Sequence, residues 1–116
     1  MLTLAQTKYS VRAAEDDVYD DGYLRVEHAN YFIDCGGRLL KLSLKEFLIF
    51  SRLVRKIGRF VPAEEIWRYA WGERAAFNAQ SLHVHIYRLR QRLYASALRI
   101  ETKVNVGYCL TKDYEL

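Results

Sequence analysis

The chain has 116 residues, 51% of them hydrophobic and 28% charged, which is typical of one globular domain. Its net charge is +4, but residues 1–40 hold four basic and seven acidic side chains, and the remainder holds 14 basic and seven acidic ones. A polyanionic partner would therefore engage the C-terminal part. No long uncharged apolar run predicts a membrane helix, and the N-terminus lacks a signal peptide's apolar core. We expect a cytoplasmic protein with no membrane partner.

The two cysteines, Cys35 and Cys109, lie far apart and in no C-x-x-C pair. This spacing predicts neither a metal site nor a disulfide framework, and we interpret both as half-buried strand residues. The sequence has no glycine-rich phosphate loop and no cluster of histidines and carboxylates. We therefore predict no enzyme activity, no cofactor and no metal.

Residues 1–22 show no clear hydrophobic period, and they end in an acidic cluster from Glu15 to Asp21. Because an acidic run is usually a solvated segment, we interpret residues 1–22 as a linker or N-terminal extension, and residues 23–116 as the domain. In a second interpretation, the acidic cluster lies against the protein's own basic face.

Three short runs from Tyr23 onward have the composition of strands: YLRVEH, YFIDC and RLLKL. Turn residues separate them, at His28-Ala29-Asn30 and at Gly36-Gly37. β-prone runs joined by asparagine- or glycine-bearing turns are typical of an antiparallel meander.

Two helices follow the meander. Ser43 and Glu46 match a capping box, which predicts a first helix running to Gly58. A second helix is predicted to start at Pro62 and to close at Gly72. Trp67 and Trp71 share a face of this helix, and we interpret them as core residues. Residues 72–78 form a loop.

A third helix is predicted from Ala79 to Tyr94, with two distinct faces. Its apolar stripe is formed by Leu82, Ile86, Leu89 and Leu93. Its outer face carries Gln80, Val84, Tyr87, Arg88 and Gln91, with Ser81, Arg90 and Arg92 on the shoulders. Arginine pairs with guanine, glutamine with adenine, and an apolar group contacts the thymine methyl, so this face suits a DNA major groove. A plain solvated surface helix is the alternative.

Two strands are predicted after the third helix, at residues 99–103 and 107–111, as a hairpin with Asn105 near its tip. The predicted class is therefore α+β. An N-terminal antiparallel sheet, three helices and a C-terminal β-hairpin wing make a winged helix-turn-helix.

Four motifs, LSLKEF, IWRYAWG, HVHIYRLRQRL and IETKVNVGYCL, resemble the OmpR/PhoB-type winged-helix effector domain of bacterial response regulators. The resemblance spans about Tyr23 to Thr111. It implies binding of double-stranded promoter DNA as a dimer on direct repeats, contact with RNA polymerase through the 72–78 loop, and transcriptional regulation in a two-component system. The family's phosphoacceptor domain is absent, so the chain is either a fragment or works without one.

The resemblance and the helix faces together give the predicted DNA-binding residues. These are Gln80, Ser81, Val84, His85, Tyr87, Arg88, Arg90, Gln91, Arg92, Thr102, Lys103 and Asn105. We expect Arg88 to read a base, and Arg90 and Arg92 to clamp phosphates or be solvated. His85 matches a family position at the DNA backbone or at the helix edge.

The chain departs from the family at a few positions. The family commonly has arginine where Gln80 stands, an acidic residue at His83, and an Arg-Gly pair where the wing has Val104 and Asn105. These departures bear on the target sequence and on the wing contacts. A function of another class also stays open, in which the basic helix or a sheet edge binds a protein.

Overall fold

The structure, a computed structural model, describes residues 17–115, which fall into two compact units. The first unit ends at Leu40 and the second begins at Lys41. The first is an antiparallel sheet whose strands pair in chain order: β1 (Val18–Asp20), β2 (Leu24–Glu27), β3 (Phe32–Cys35) and β4 (Arg38–Leu39). The predicted meander is thus confirmed.

The strands of this sheet bury one face. Leu24 pairs with Cys35, and Val26 pairs with Ile33, so the four side chains project to the same side, and all are buried. A 3-10 turn at His28–Asn30 joins β2 to β3.

The acidic cluster has a structural use that the sequence did not reveal. Strand β1 lies inside the segment predicted as a linker, so that prediction is wrong for its last residues. Asp21 Oδ1 accepts a hydrogen bond from the Tyr23 N–H at 2.9 Å, and Asp20 Oδ1 accepts one from the Gly22 N–H at 3.0 Å. Asp20 also pairs with Arg25 at 2.9 Å. The remaining residues of the predicted extension, 1–16, lie outside the described part of the chain.

The second unit contains three helices and a small sheet. The helices are α1 (Leu44–Arg55), α2 (Ala63–Trp71) and α3 (Ala79–Arg92), and the strands are β5 (Val61–Pro62), β6 (Leu98–Lys103) and β7 (Gly107–Lys112). The strands pair antiparallel in the order β5-β7-β6. The predicted sequence of sheet, three helices and hairpin is confirmed, and with it the α+β winged-helix class. Helix α1 ends before the predicted Gly58, and α3 ends two residues before Tyr94.

The core of the second unit forms where the inner faces of the helices meet the hairpin. Its fully buried large side chains are Phe50, Leu53, Ile66, Leu82, Ile86, Leu89, Leu93, Leu98 and Leu110, with Ile49. The apolar stripe predicted on the third helix is confirmed, since its four members are at most 2% exposed. Burying each such side chain contributes about 1.5–3 kcal/mol, so this stripe holds α3 in place.

Local signals fix the element ends that position the helices. The Ser43 N–H donates to Glu46 Oε1 at 2.9 Å, and the Glu46 N–H donates to Ser43 Oγ at 3.2 Å, which confirms the capping box. Gly107 pairs with Pro62 between β7 and β5. A Cβ atom at Gly107 would overlap the carbonyl oxygen of Val61, so only glycine permits this close approach.

Candidate nucleic-acid interface

The outer face of α3 is open to solvent along most of its length. Gln80, Tyr87, Arg88 and Gln91 are exposed, Tyr87 to 61%, while Ser81 and Val84 are half-buried. No acidic residue occurs between Arg74 and Ile100 in the sequence. The face therefore presents hydrogen-bond donors and apolar atoms, with no acidic side chain of its own helix to repel a phosphate backbone.

Asn78 fixes where α3 begins. Its Oδ1 accepts a hydrogen bond from the Ser81 N–H at 2.9 Å. This satisfies one of the free N–H groups at the helix start, as asparagine does well at this position. Sequence reasoning had placed Asn78 in the preceding loop, although an asparagine three residues before Ser81 is a recognisable cap.

His85 lies on the flank of α3 and is held on two sides. Its Nδ1 lies 2.8 Å from the Ser81 carbonyl oxygen, so a proton on Nδ1 makes the hydrogen bond. Its ring meets the Trp71 ring edge-on, with centroids 5.0 Å apart. The ring therefore packs at the edge of the helix in a fixed orientation. Nδ1 faces the Ser81 carbonyl oxygen, and Nε2 is the other ring nitrogen.

The two tryptophans form a stack that ties the 72–78 loop to α2. Trp67 and Trp71 lie parallel, with centroids 4.0 Å apart, and the Trp67 Nε1–H donates to the Ala75 carbonyl oxygen at 3.0 Å. Phe77 packs edge-on against Trp67. The prediction of core packing holds for Trp67, which is 5% exposed, whereas Trp71 is half-buried.

Arg90 has partners within the protein, whereas the sequence left open a phosphate clamp or a solvated side chain. Its Nε and Nη2 both donate to the Ile100 carbonyl oxygen, at 3.0 and 2.7 Å. Nη2 also donates to Thr102 Oγ1 at 2.7 Å. The predicted site residues Arg90 and Thr102 are therefore joined to each other, and the guanidinium is bound to β6 rather than solvated. The sequence gives no signal for a contact across ten residues.

Arg92 also has a partner that the sequence did not predict. Its Nε lies 3.5 Å from Glu46 Oε1, at the start of α1. The Glu46 carboxylate is buried, while Arg92 is 54% exposed. Arg92 is therefore not merely solvated, since it supplies a positive charge beside a buried carboxylate.

The wing tip, residues 103–106, connects β6 to β7. The Val106 N–H donates to the Lys103 carbonyl oxygen at 2.9 Å, and Asn105 adopts a left-handed backbone with φ of 65°. Its predicted place near the hairpin tip is confirmed. Val104 is 79% exposed, and the Lys103 ammonium lies 5.8 Å from the centroid of the Phe60 ring. The tip thus offers one ammonium, one amide and exposed apolar surface.

An ion-pair cluster joins the C-terminal end of α1 to α2. Glu65 Oε2 lies 2.6 Å from Arg52 Nη2 and 3.1 Å from Lys56 Nζ. The hydrogen bond from Lys56, with that from Arg52, keeps the pKa of Glu65 below its ordinary value despite the opposing effect of partial burial. This cluster braces the helices that support α3.

Residues 17–115 were also compared with the requirements of a metal site, a membrane helix and a reactive thiol. In that range, no three histidine, cysteine or acidic side chains are grouped to hold a metal ion, and no helix is long and apolar enough to cross a membrane. Cys35 and Cys109 lie in strands β3 and β7, and both are buried more fully than predicted. Burial raises the pKa of the Cys109 thiol, which disfavours the reactive thiolate.

Comparison with known proteins gives a family match over most of the chain. The model of the family described as "Transcriptional regulatory protein, C terminal" matches residues 37–110. The sensory transduction protein RegX3 of Mycolicibacterium smegmatis is 28% identical over 100 residues, which are 84% of this chain and 44% of RegX3. The transcriptional regulatory protein PmrA of Pectobacterium parmentieri is 45% identical over 73 residues, which are 61% of this chain and 31% of PmrA. The chain spans less than half of both relatives.

One solved structure of an isolated domain matches over nearly all of its own length. The crystal structure of the Klebsiella pneumoniae RstA DNA-binding domain, in complex with the RstA box, has a TM-score of 0.69 and 26% identity. The match covers 81% of this chain and 96% of that chain.

Proposed function

Because this chain belongs to the family of transcriptional regulatory protein C-terminal domains, the OmpR/PhoB-type winged-helix DNA-binding domains of response regulators, we propose that it places α3 in the major groove of a specific promoter sequence. The observation that carries this proposal is the contrast between the two faces of α3. The inner stripe is fully buried, while the outer face is open, free of acidic groups and rich in hydrogen-bond donors. The RstA domain, solved in complex with its DNA box, provides a DNA-bound comparison.

Base reading is assigned to the middle of the outer face. Arg88 is the candidate for a bidentate contact with guanine, and Gln80 and Gln91 are candidates for adenine. Val84 and Tyr87 offer apolar atoms to thymine methyl groups. These five side chains point from the face opposite the buried stripe, so they approach the base edges together.

Backbone contacts are assigned to the flanks of the same face. Ser81 lies in the first turn of α3 and His85 one turn further along, and Lys103 and Asn105 lie at the wing tip. Phosphate contacts hold the register but carry no sequence information, so these residues position the helix that reads. Arg90 and Thr102 support the interface by joining α3 to β6, and Arg92 supports it by pairing with Glu46 of α1.

Oligomeric state and contact with RNA polymerase are proposed from the family resemblance. We expect the chain to be monomeric in free solution and to pair on direct-repeat DNA, which sedimentation with and without a two-site duplex would show. The exposed part of the 72–78 loop, anchored by the Trp67 stack, is the candidate surface for RNA polymerase. A regulator of bacterial promoters works in the cytoplasm, and its role is regulatory rather than enzymatic.

Selection of bound sites from random duplexes, followed by affinity measurements at several salt concentrations, tests the proposal. We expect an enriched motif, and log K should fall with log salt by about 0.9 per phosphate neutralised. A protein-interaction module would instead give no enriched motif and a flat salt response. That outcome would contradict DNA recognition by this face.

A further inference from the structure

Arg90 joins α3 by hydrogen bonds to the strand that carries the wing. Its guanidinium bonds twice to the Ile100 carbonyl oxygen, at 3.0 and 2.7 Å, and once to Thr102 Oγ1, at 2.7 Å. Thr102 immediately precedes the wing tip. The contact therefore lies at the base of the wing tip. A small change in the angle between β6 and α3 at this point would displace residues 103–106.

The sheet holds the strand that leads into the wing on one side. Strand β6 is the edge strand of the order β5-β7-β6, so it pairs with β7 alone. The wing tip itself is exposed from Lys103 to Val106. Strand pairing holds β6 against β7, and the buried side chains of Leu98 and Ile100 anchor its first half in the core. The Arg90 contacts tie β6 to α3 by hydrogen bonds at Ile100 and Thr102, next to the wing tip.

Arginine has the chemistry for this task. Its planar guanidinium presents N–H groups in a fixed fork, so two donors can meet one carbonyl oxygen while a third bond reaches a neighbouring hydroxyl. Hydrogen bonds from a charged donor are stronger than neutral ones. Arg90 is half-buried, and its two bonds to the Ile100 carbonyl oxygen are partly shielded from water, while its bond to Thr102 Oγ1 is exposed. Lysine at this position would keep the charge but lose the fork.

We propose that Arg90 is a positioning residue for DNA recognition, which sets the angle between α3 and the wing so that both engage one duplex in a single register. The inference rests on the proposed function, because it assumes that α3 and the wing contact the same DNA. In a protein without this tie, the wing would have to be ordered when DNA binds, at a cost in affinity.

A comparison of two duplexes tests the proposal. Both contain the same selected half-site, but the short duplex ends beyond the bases under α3 and lacks the flanking base pairs that the wing would reach. The ratio of the two affinities measures the contribution of the wing. The parent protein should bind the long duplex more tightly than both the short one and a scrambled one. If the parent does not distinguish the scrambled duplex, the proposed function fails rather than the role of Arg90.

Arg90→Lys is the main variant. We expect it to lose about tenfold in affinity for the long duplex and to stay within about twofold of the parent on the short duplex. Thr102→Val removes the hydroxyl acceptor and keeps every charge, so it should produce a smaller loss of the same kind. Arg99→Lys is the matched control, because Arg99 lies on β6 and its guanidinium donates to the nearby Ser96 and Leu98 carbonyls rather than to α3.

Two further readouts separate positioning from a structural or a direct role. Amide hydrogen exchange at residues 103–106 of free Arg90→Lys should be faster than in the parent, with the exchange of α3 unchanged. Equal losses on both duplexes, or an Arg90→Lys protein that binds the long duplex as the parent does, would overturn the proposal. So would a fall of about one in the salt slope of Arg90→Gln, because that result would make Arg90 a phosphate contact.

Discussion

The Nε atom of Arg92, at the end of α3, lies 3.5 Å from Oε1 of Glu46, in the capping box of α1. The same carboxylate oxygen accepts a hydrogen bond from the Ser43 N–H. One buried carboxylate thus caps the first helix and holds the end of the third. Arg92, which the sequence placed among the DNA contacts, contributes to the rigidity of the helical unit.

Arg92→Ala should therefore lower stability more than it lowers DNA affinity. The change leaves the Glu46 carboxylate buried with fewer compensating charges, and because Arg92 is half exposed, we expect a loss of about 1 kcal/mol. Denaturant titration measures this loss, with Gln91→Ala as a control at an exposed neighbouring site. A parent-like midpoint with a salt slope reduced by about one would show a phosphate contact instead.

Leu89→Ala tests the buried stripe. Leu89 is fully buried beneath the outer face of α3, so its truncation opens a cavity and should cost about 2–5 kcal/mol. Thermal unfolding measures the loss, and Tyr87→Ala, two residues away on the exposed face, should melt close to the parent. If Leu89→Ala melts like the parent, the orientation of α3 described here is wrong.

Asn105 adopts a turn conformation and is a proposed DNA contact, and two substitutions separate these roles. Asn105→Gly keeps the left-handed backbone and removes the amide, so it should melt like the parent and bind DNA more weakly. Asn105→Ala should also lose about 1 kcal/mol of stability, because alanine is strained at positive φ. Equal DNA affinities for the parent and Asn105→Gly would assign Asn105 to the turn alone.

The pairs at Glu65 give stability that depends on pH. Its pKa is lowered in the folded state, so the stabilisation is fully present above the unfolded pKa and is lost as pH falls through the folded value. Glu65→Gln should therefore be less stable than the parent at pH 7, and the difference should shrink below about pH 4. Denaturant titrations at both pH values measure it. A difference that stays constant with pH would contradict the ion-pair role.

Several features were predictable because their signals are local. The capping box of Ser43 and Glu46 occupies four residues, and the stripe through Leu82 and Leu89 repeats at the helical period. The wing could be predicted from two strand-like runs with Asn105 between them. Such signals can be recognised in a single sequence because the interacting residues lie within one element or one turn.

Other features were not predictable because their partners lie far apart in the chain. Ten residues separate Arg90 from Ile100, and 46 separate Arg92 from Glu46, and no local period connects them. Strand β1 was not predicted because it is only three residues long and is surrounded by aspartates, which suggested a solvated segment. Those aspartates accept backbone hydrogen bonds in the turn between β1 and β2, so their polarity is used within the sheet unit.

The central claim is that the outer face of α3 reads sequence, and Arg88 tests it most directly. Its exposed guanidinium projects from the face opposite the buried stripe. Four affinities are needed: the parent and Arg88→Ala, each on the selected site and on a scrambled duplex. We expect Arg88→Ala to lose about 1–3 kcal/mol on the selected site, with relaxed choice at one base pair, and little on the scrambled duplex. Equal losses on both duplexes would make Arg88 a backbone contact and would contradict sequence reading by Arg88.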